Sequence, residues 1–381
     1  MRIRYVENIA WSGGAISTYA ILKDGPLEAD SIVPAPSLFL THLAQKGHFK
    51  NSLKAAADDL KSFFQALSDH DQDWRNLRDT DMSGYLYSHL AMQRAFVDKS
   101  IQRHISTLRS FYNFAWETGL LISPPKFSYT YRTTELKKQG DAKKKVNFDL
   151  YNQYVDKSLF ETLLGNVITK SAFEKERDEL VLQLGYHCGL RSSEVTDPRN
   201  LITSDLRKLI ASAEKIESQT ITVSIIGKGE KLRKVDIHPK AFRKIKFFIE
   251  GRRSSIPDGS LICKADGSSL SLEHATYVFR VAKKSASAHI DTVIAKLHKE
   301  DPLMHFISDI SFHSLTFHAM RHTYATNLVD FCYKHGYDPW QYVPEQMGHE
   351  DEETTEEYVV FDGKIHRREK IRRALNDESD E

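Results

Sequence analysis

Residues 347–358 read MGHEDEETTEEY, which sets His349 nine positions before Tyr358 in a run of carboxylates, Glu350, Asp351, Glu352, Glu353, Glu356 and Glu357. An arbitrary tyrosine is most economically a packed aromatic, and an acidic run is most economically a solvated face. The spacing of Tyr358 from Gly348-His349 and from Thr355 turns the tyrosine toward chemistry. Upstream, HAMRH places His318 and Arg321 one helical turn apart on the same side. Further upstream, IGKGEKLRKV (226–235) is a hairpin turn carrying Lys228, and CGLRSSEV (188–195) carries Arg191 and Glu194. Each piece has a plainer reading. Arg191 and Arg321 could be structural ion-pair arginines. Lys231, Arg233 and Lys234 share the hairpin with Lys228 and compete for its role. His318 and His322 are four apart, as in a helical zinc site, but no glutamate follows the first histidine and no third ligand is evident. His322 therefore reads as a packed or capping histidine.

Outward from these pieces, periodicity gives the fold class. ITVSII (221–226) alternates as a strand, GKGE turns, and KLRKVDI returns as its partner. Helical segments precede it near Leu159–Ile168 and Glu174–Tyr186, and helical periodicity resumes after Pro239. In the N-terminal half, Leu53, Ala57, Leu60, Phe64 and Leu67 share one helical face, as do Ile101, Ile105, Leu108, Phe111 and Ala115. Gly119 is the natural stop of the second helix. Its other face shows Arg103, Thr107 and Ser110, with Arg109 to one side. The expectation is a mainly α chain with a small antiparallel β-sheet. Residues 1–35 read as an N-terminal extension of short strands or an extended arm, 36–132 as a helical domain, 133–146 as a lysine-rich linker, and 147–381 as a second domain with a C-terminal tail.

The 381 residues are 40% hydrophobic and 28% charged, which is ordinary for a globular protein. No run approaches the ~18 apolar residues of a membrane span, and the N-terminus lacks the apolar core and cleavage site of a signal peptide. Cys188, Cys263 and Cys332 are far apart, so neither a disulfide framework nor a thiolate metal site is indicated, and a reducing interior is expected. Net charge is +1, yet basic residues cluster at Lys137, Lys138 and Lys143–Lys145, at Lys228–Lys234 and at Lys364–Arg373. A polyanion-binding face can hide behind a neutral total.

Taken in order, the arginine in GLRSSE, the hairpin lysine, HxxR, and GH followed nine residues later by tyrosine resemble the tyrosine recombinase (phage integrase) family. The resemblance covers roughly residues 100–370. It implies a two-domain DNA clamp, with a helical core-binding domain and a catalytic domain that cleaves and rejoins DNA through a 3′-phosphotyrosyl link. In that reading Tyr358 is the nucleophile, and its intrinsic pKa near ~10 means that it needs help losing a proton. Arg191 and Arg321 fork onto the non-bridging oxygens. His318 accepts a proton or binds phosphate, His349 bonds the phosphate, and Lys228 protonates the departing 5′ oxygen. Glu194 holds the Arg191 fork in place. Arg103, Arg109, Lys143, Lys144 and Lys145 are candidate DNA contacts. The resemblance also implies no cofactor or metal, a double-stranded DNA partner, four protomers on two DNA sites, and a cytoplasmic, nucleoid-associated protein, and it leaves room for an accessory DNA-bending protein.

Two spacings depart from compact members of the family. The polar stretch between Arg191 and Lys228 reads as an inserted helical loop across 199–220, and the interval from Lys228 to His318 is also long. A non-catalytic architectural relative would keep the fold without the chemical groups. A type IB topoisomerase-like activity would share the covalent link, and recombination between two matching sites separates the two enzymes.

Overall fold

Apolar residues repeating every three or four positions build the N-terminal half. The computed structural model describes residues 1–11, 14–25, 31–124, 126–131, 148–300, 308–349 and 352–367. The expected linker 133–146, with Lys143, Lys144 and Lys145, lies outside the described residues, as do Glu350, Asp351 and everything beyond Arg367. The chain divides into two units, Met1–Lys143 and Lys144–Glu381.

In the first unit, strands β1 (Arg2–Trp11) and β2 (Gly14–Leu22) form an antiparallel hairpin with a bulge between Val6 and Ile9. Helices α1 (Pro34–Gln45), α2 (Lys50–Asp69), α3 (Asp79–Gly84, continued as a π-helix over Tyr85–Gln93) and α4 (Asp98–Glu117) follow. The two apolar stripes read from the sequence are buried in α2 and α4. Tyr19 and Ile21 of β2 enter the same core as Phe39, Leu60 and Phe111, so the opening hairpin is packed into this unit. Gly119 takes φ +75 just past α4, a left-handed conformation that glycine adopts without a Cβ penalty.

The second unit opens with a 3-10 turn (Phe148–Gln153), then α5 (Lys157–Gly165), α6 (Ala172–Cys188) and the short α7 (Ser192–Thr196). The polar stretch after it folds as α8 (Thr203–Lys215), whose Leu206, Ile210 and Ala213 are buried in the main core. Strands β3 (Ile221–Ile226) and β4 (Leu232–Ile237) pair antiparallel as the expected hairpin, with Ile221 opposite Ile237 and Ile226 opposite Leu232. Next come α9 (Pro239–Glu250), α10 (His274–Ala286), α11 (Ile290–Glu300), α12 (Asp309–Ser314), α13 (Phe317–Lys334), α14 (Pro339–Met347) and α15 (Glu352–Asp362), with a closing π turn (Gly363–Arg367).

Helix α13 is buried on most sides, which suits a central helix. It lies close against α6 because Gly185 has no side chain: a Cβ there would stand 2.7 Å from Phe317 Cζ. A second apolar cluster joins α13, α14 and α15 through Val329, Val343, Met347, Tyr358 and Phe361. The helices bearing Arg321 and Tyr358, and α6, whose end leads into Arg191, are thereby fixed to one another by packing.

Candidate active site

The site is assembled at three chain reversals. Helix α6 ends at Gly189, which takes φ +63, and a Cβ there would meet the Tyr324 ring at 2.4 Å. Only glycine fits, and the chain turns at once into Arg191, the N-cap residue of α7. Helix α14 ends likewise at Gly348, φ +63, where a Cβ would stand 2.8 Å from Arg233 Cδ. Between β3 and β4 the reversal is a tight turn over Lys228–Glu230, so the backbone of Lys228 sits at the hairpin tip. Its side chain lies outside the described part of the structure.

Glu194, 2% exposed, is the hub. Its carboxylate accepts from the Arg191 backbone N–H at 2.8 Å and from Arg191 Nη1 at 2.7 Å, the bond expected from the sequence. It also accepts a fork from Arg233, Nη1 to Oε1 at 2.6 Å and Nη2 to Oε2 at 2.9 Å. Burial works to raise the Glu194 pKa, but the Arg233 hydrogen bonds and charge, with those of Arg191, override it and hold the carboxyl down at about 2. Arg233 also donates Nε to the Gln346 carbonyl at 3.3 Å. The Gln346 side chain in turn pairs with the Asp236 backbone, accepting its N–H at 3.0 Å and donating to its carbonyl at 2.9 Å. This arginine ties the hairpin to both glycine turns, a role absent from the sequence reading. Strand parity was the available signal: Arg233 shares a face with the buried Val235 and Ile237, and a charge on a core face requires a partner.

Arg321 is 2% exposed and donates Nη1 to the Gly189 carbonyl at 2.6 Å and Nη2 to the Met347 carbonyl. It therefore bridges the ends of α6 and α14. Burial, with the like charge of Arg191, pulls its pKa down to about 9, which leaves it cationic at neutral pH. Three guanidiniums thus surround one carboxylate, a surplus of positive charge suited to an anion.

Tyr358, on α15, is 3% exposed. Its hydroxyl is 2.7 Å from His322 Nδ1, and its ring stacks on His349 at 5.7 Å between centroids, 15° between planes. His322, expected to be a packed or capping histidine, instead contacts the hydroxyl of the candidate nucleophile. Burial pushes the Tyr358 pKa up to about 12, while the nearby charges of Arg321 and Arg191 pull the other way. That rise adds about 3 kcal/mol to the cost of a free phenolate. His349 Nδ1 bonds Thr355 Oγ1 at 3.0 Å, and burial together with the arginine charges lowers its pKa to about 3, so it is neutral. His318 is exposed one turn before His322, the two rings edge to face at 4.4 Å. A second tyrosine on α13, Tyr324, is packed against Gly189 and accepts a hydrogen bond from Gln346 Nε2 at 3.1 Å.

The first unit's candidate DNA contacts lie elsewhere. Arg103 donates to the buried Asp59 at 2.7 Å, and the Arg109 guanidinium lies 4.8 Å from the centroid of the Tyr129 ring.

Comparison with known proteins bears on the family and the fold. Residues 37–119 match the model of the phage integrase N-terminal SAM-like domain, and residues 153–362 match that of the phage integrase family. The tyrosine recombinase XerD of Oceanobacillus iheyensis is 25% identical over 317 residues, covering 83% of this chain and 89% of its own length. The tyrosine recombinase XerC of Leptospira interrogans is 23% identical over 334 residues, 87% of this chain and 90% of its own. Among solved structures, a lambda integrase (75–356) dimer bound to a COC′ core site superposes with TM-score 0.54 at 13% identity, covering 86% of this chain and 93% of that one. The XerH site-specific recombinase bound to a palindromic difH substrate gives 0.52 at 17%, covering 85% and 78%. Among the described residues no helix is long and apolar enough to cross a membrane. With its fold, its matched domains and its ordered arginine, histidine and tyrosine motifs, the chain belongs to the phage integrase family of tyrosine recombinases, DNA breaking-rejoining enzymes that carry out site-specific recombination.

Proposed function

We propose that Tyr358 attacks a DNA phosphate held by Arg191 and Arg321 and leaves a 3′-phosphotyrosyl link. The observation that carries this reading is a tyrosine hydroxyl buried beside a guanidinium surplus, where the charges of Arg321 and Arg191 favour its anion. Negative charge building on the non-bridging oxygens meets donors already oriented by Glu194 and by backbone carbonyls, so little reorganisation is required. His318, exposed on α13, and His349 complete the phosphate's hydrogen bonds. Lys228 at the hairpin tip protonates the departing 5′ oxygen. The ester is conserved in the link, and a 5′ hydroxyl from a partner duplex reverses the step.

The wider assembly follows from the same reading. Residues 36–132 supply further DNA contacts, with Arg103 and Arg109 as candidates, and the linker 133–146 adds Lys143, Lys144 and Lys145 as candidate phosphate contacts. Four protomers act on two DNA sites in the cytoplasm, at the nucleoid, with a DNA-bending protein as a candidate accessory.

The test is a suicide substrate that traps the covalent adduct. Tyr358→Phe loses only the phenolic oxygen, so it binds the same DNA and forms no adduct on a denaturing gel. Adduct surviving in that variant moves the nucleophile elsewhere, with Tyr324 the next candidate.

A further inference from the structure

If Tyr358 is the nucleophile, its proton must go somewhere, and two histidine rings touch it. His349 is a poor acceptor: Thr355 occupies its Nδ1, and the surrounding burial and arginine charge oppose any further proton. His318 is exposed and stands one turn earlier on α13, better placed to meet a phosphate arriving from outside than a buried hydroxyl. His322 has a hydrogen bond to the Tyr358 hydroxyl, at 2.7 Å and within the 2.6–3.2 Å reach a general base requires. Helix packing fixes this pair, because α13 and α15 meet in one apolar cluster through Ala325, Val329, Tyr358 and Phe361.

We propose that His322 is the general base of the reaction, accepting the Tyr358 proton on Nδ1 as Oη attacks phosphorus. This rests on Tyr358 as nucleophile. In the forward step the Oη–H bond breaks and its proton passes to Nδ1, which requires the tautomer with hydrogen on Nε2. The Oη–P bond forms, the P–O5′ bond breaks, and O5′ takes its proton from the general acid at the hairpin tip. On rejoining, O5′ loses its proton to that group and attacks phosphorus. The Oη–P bond breaks, and Oη recovers the proton from His322. The step consumes nothing from outside. His318 is left to bind the phosphate, its ring edge-to-face with His322.

The experiment uses the full chain, a suicide substrate and three variants. His322→Ala removes both hydrogen bond and base, and its cleavage rate falls by about 10²–10⁴-fold, the usual contribution of a positioned base. His322→Asn restores an acceptor oxygen near the Nδ1 position but cannot take up a proton at working pH, so it stays as slow as alanine. Replacing Tyr358 by 3,5-difluorotyrosine, whose hydroxyl ionises far more readily, returns at least tenfold of the lost rate to His322→Ala and nothing to His318→Ala. Rescue by asparagine would reduce His322 to a positioning group. Rescue of His318→Ala by the fluorinated tyrosine would transfer the role to His318. Faster cleavage in His322→Ala would make the bond a latch on the resting enzyme. Any of these overturns the proposal. Should His322→Ala fail to bind DNA or melt early, the fluorotyrosine comparison is made in His322→Asn, where the same rescue is required. Failure of the reading beneath is distinct: there Tyr358→Phe itself would form adduct.

Discussion

Each unit buries a carboxylate and grips it with arginine, yet Asp59 and Glu194 are built to different ends. Asp59 lies on α2 and takes all its described partners from one helix, α4: Arg103 at 2.7 Å, His104 Nε2 at 2.9 Å and Thr107 Oγ1 at 2.9 Å. One anion meets one permanent cation, and the arginine is half exposed. Glu194 draws partners from its own turn and from a strand 39 positions away, and Arg321 adds a third guanidinium near it. A balanced knot joins two helices. An unbalanced one leaves two positive charges over, at a place where three chain reversals converge beside a buried tyrosine. Surplus, not burial, marks the reactive place.

Removing one arginine from each knot should separate these roles most sharply. Arg191→Ala should lower cleavage by about 10²–10³-fold, the usual effect of losing one preorganised donor, and leave DNA affinity nearly intact, because affinity is spread over many phosphates. Arg103→Ala should leave cleavage of bound DNA within a factor of a few and lower the melting temperature instead. Comparable loss of cleavage in both would erase the distinction. Arg321 is the wrong residue for this test, since its guanidinium also joins two carbonyls, and its removal would unfasten the ends of α6 and α14.

The carboxylates sharpen the comparison through stability. Glu194→Gln leaves the part-buried guanidiniums of Arg191 and Arg233 short of their counter-charge and should cost up to about 3–5 kcal/mol. Asp59→Asn keeps an acceptor, retains the Thr107 contact and should cost less, about 1–3 kcal/mol. Acid should test the Glu194 knot directly. Glu194 has its folded pKa depressed from 4.5 to about 2, so its contribution is complete above 4.5 and is lost as pH falls through about 2. His349, depressed from 6.5 to about 3, is favoured neutral, and its contribution fades over that lower interval. Melting temperature against pH should therefore fall from about 6.5 downward in the parent. In Glu194→Gln the part of that fall below 4.5 should flatten, and an unchanged curve would mean that Glu194 is not the titrating hub.

Much of this was visible in the chain before folding. The stripes of α2 and α4 and the alternation of β3 and β4 are local patterns, and local patterns survive into structure when a core rewards them. The arginine, histidine and tyrosine spacings were legible because each motif brings its own turn, with Gly189 and Gly348 marking the reversals. What stayed hidden depends on partners remote in sequence. Arg233 looked like one of several hairpin cations because Glu194 is brought to it only by the sheet. His322 looked like core because the hydroxyl it meets is 36 positions away on another helix. The opening hairpin read as an extension because only β2 is sealed, while β1 remains largely outside the core.

The smallest effect expected concerns the acidic run beside the nucleophile. Glu357 is exposed and adjacent to Tyr358, and its charge helps keep the phenol protonated. DNA phosphates repel such charges across a Debye length of about 8 Å. If both effects hold back a lone protomer and a neighbour's basic surface relieves them, cleavage is confined to assembled complexes. Replacing Glu352, Glu353, Glu356 and Glu357 with glutamine should therefore raise cleavage of a single half-site at low protein concentration. It should also weaken the dependence of rate on concentration. Glu357 is exposed, and an exposed charge is worth about 1 kcal/mol or less, so its share of the rise should not exceed roughly fivefold. Glu357→Gln alone should account for part of it, because that charge acts on Tyr358 directly and needs no DNA. Added salt should shrink the difference between parent and variant. A variant that melts like the parent and cleaves at the same rate at every concentration would leave these carboxylates as solvated surface, with the Glu194 knot the one electrostatic control at the site.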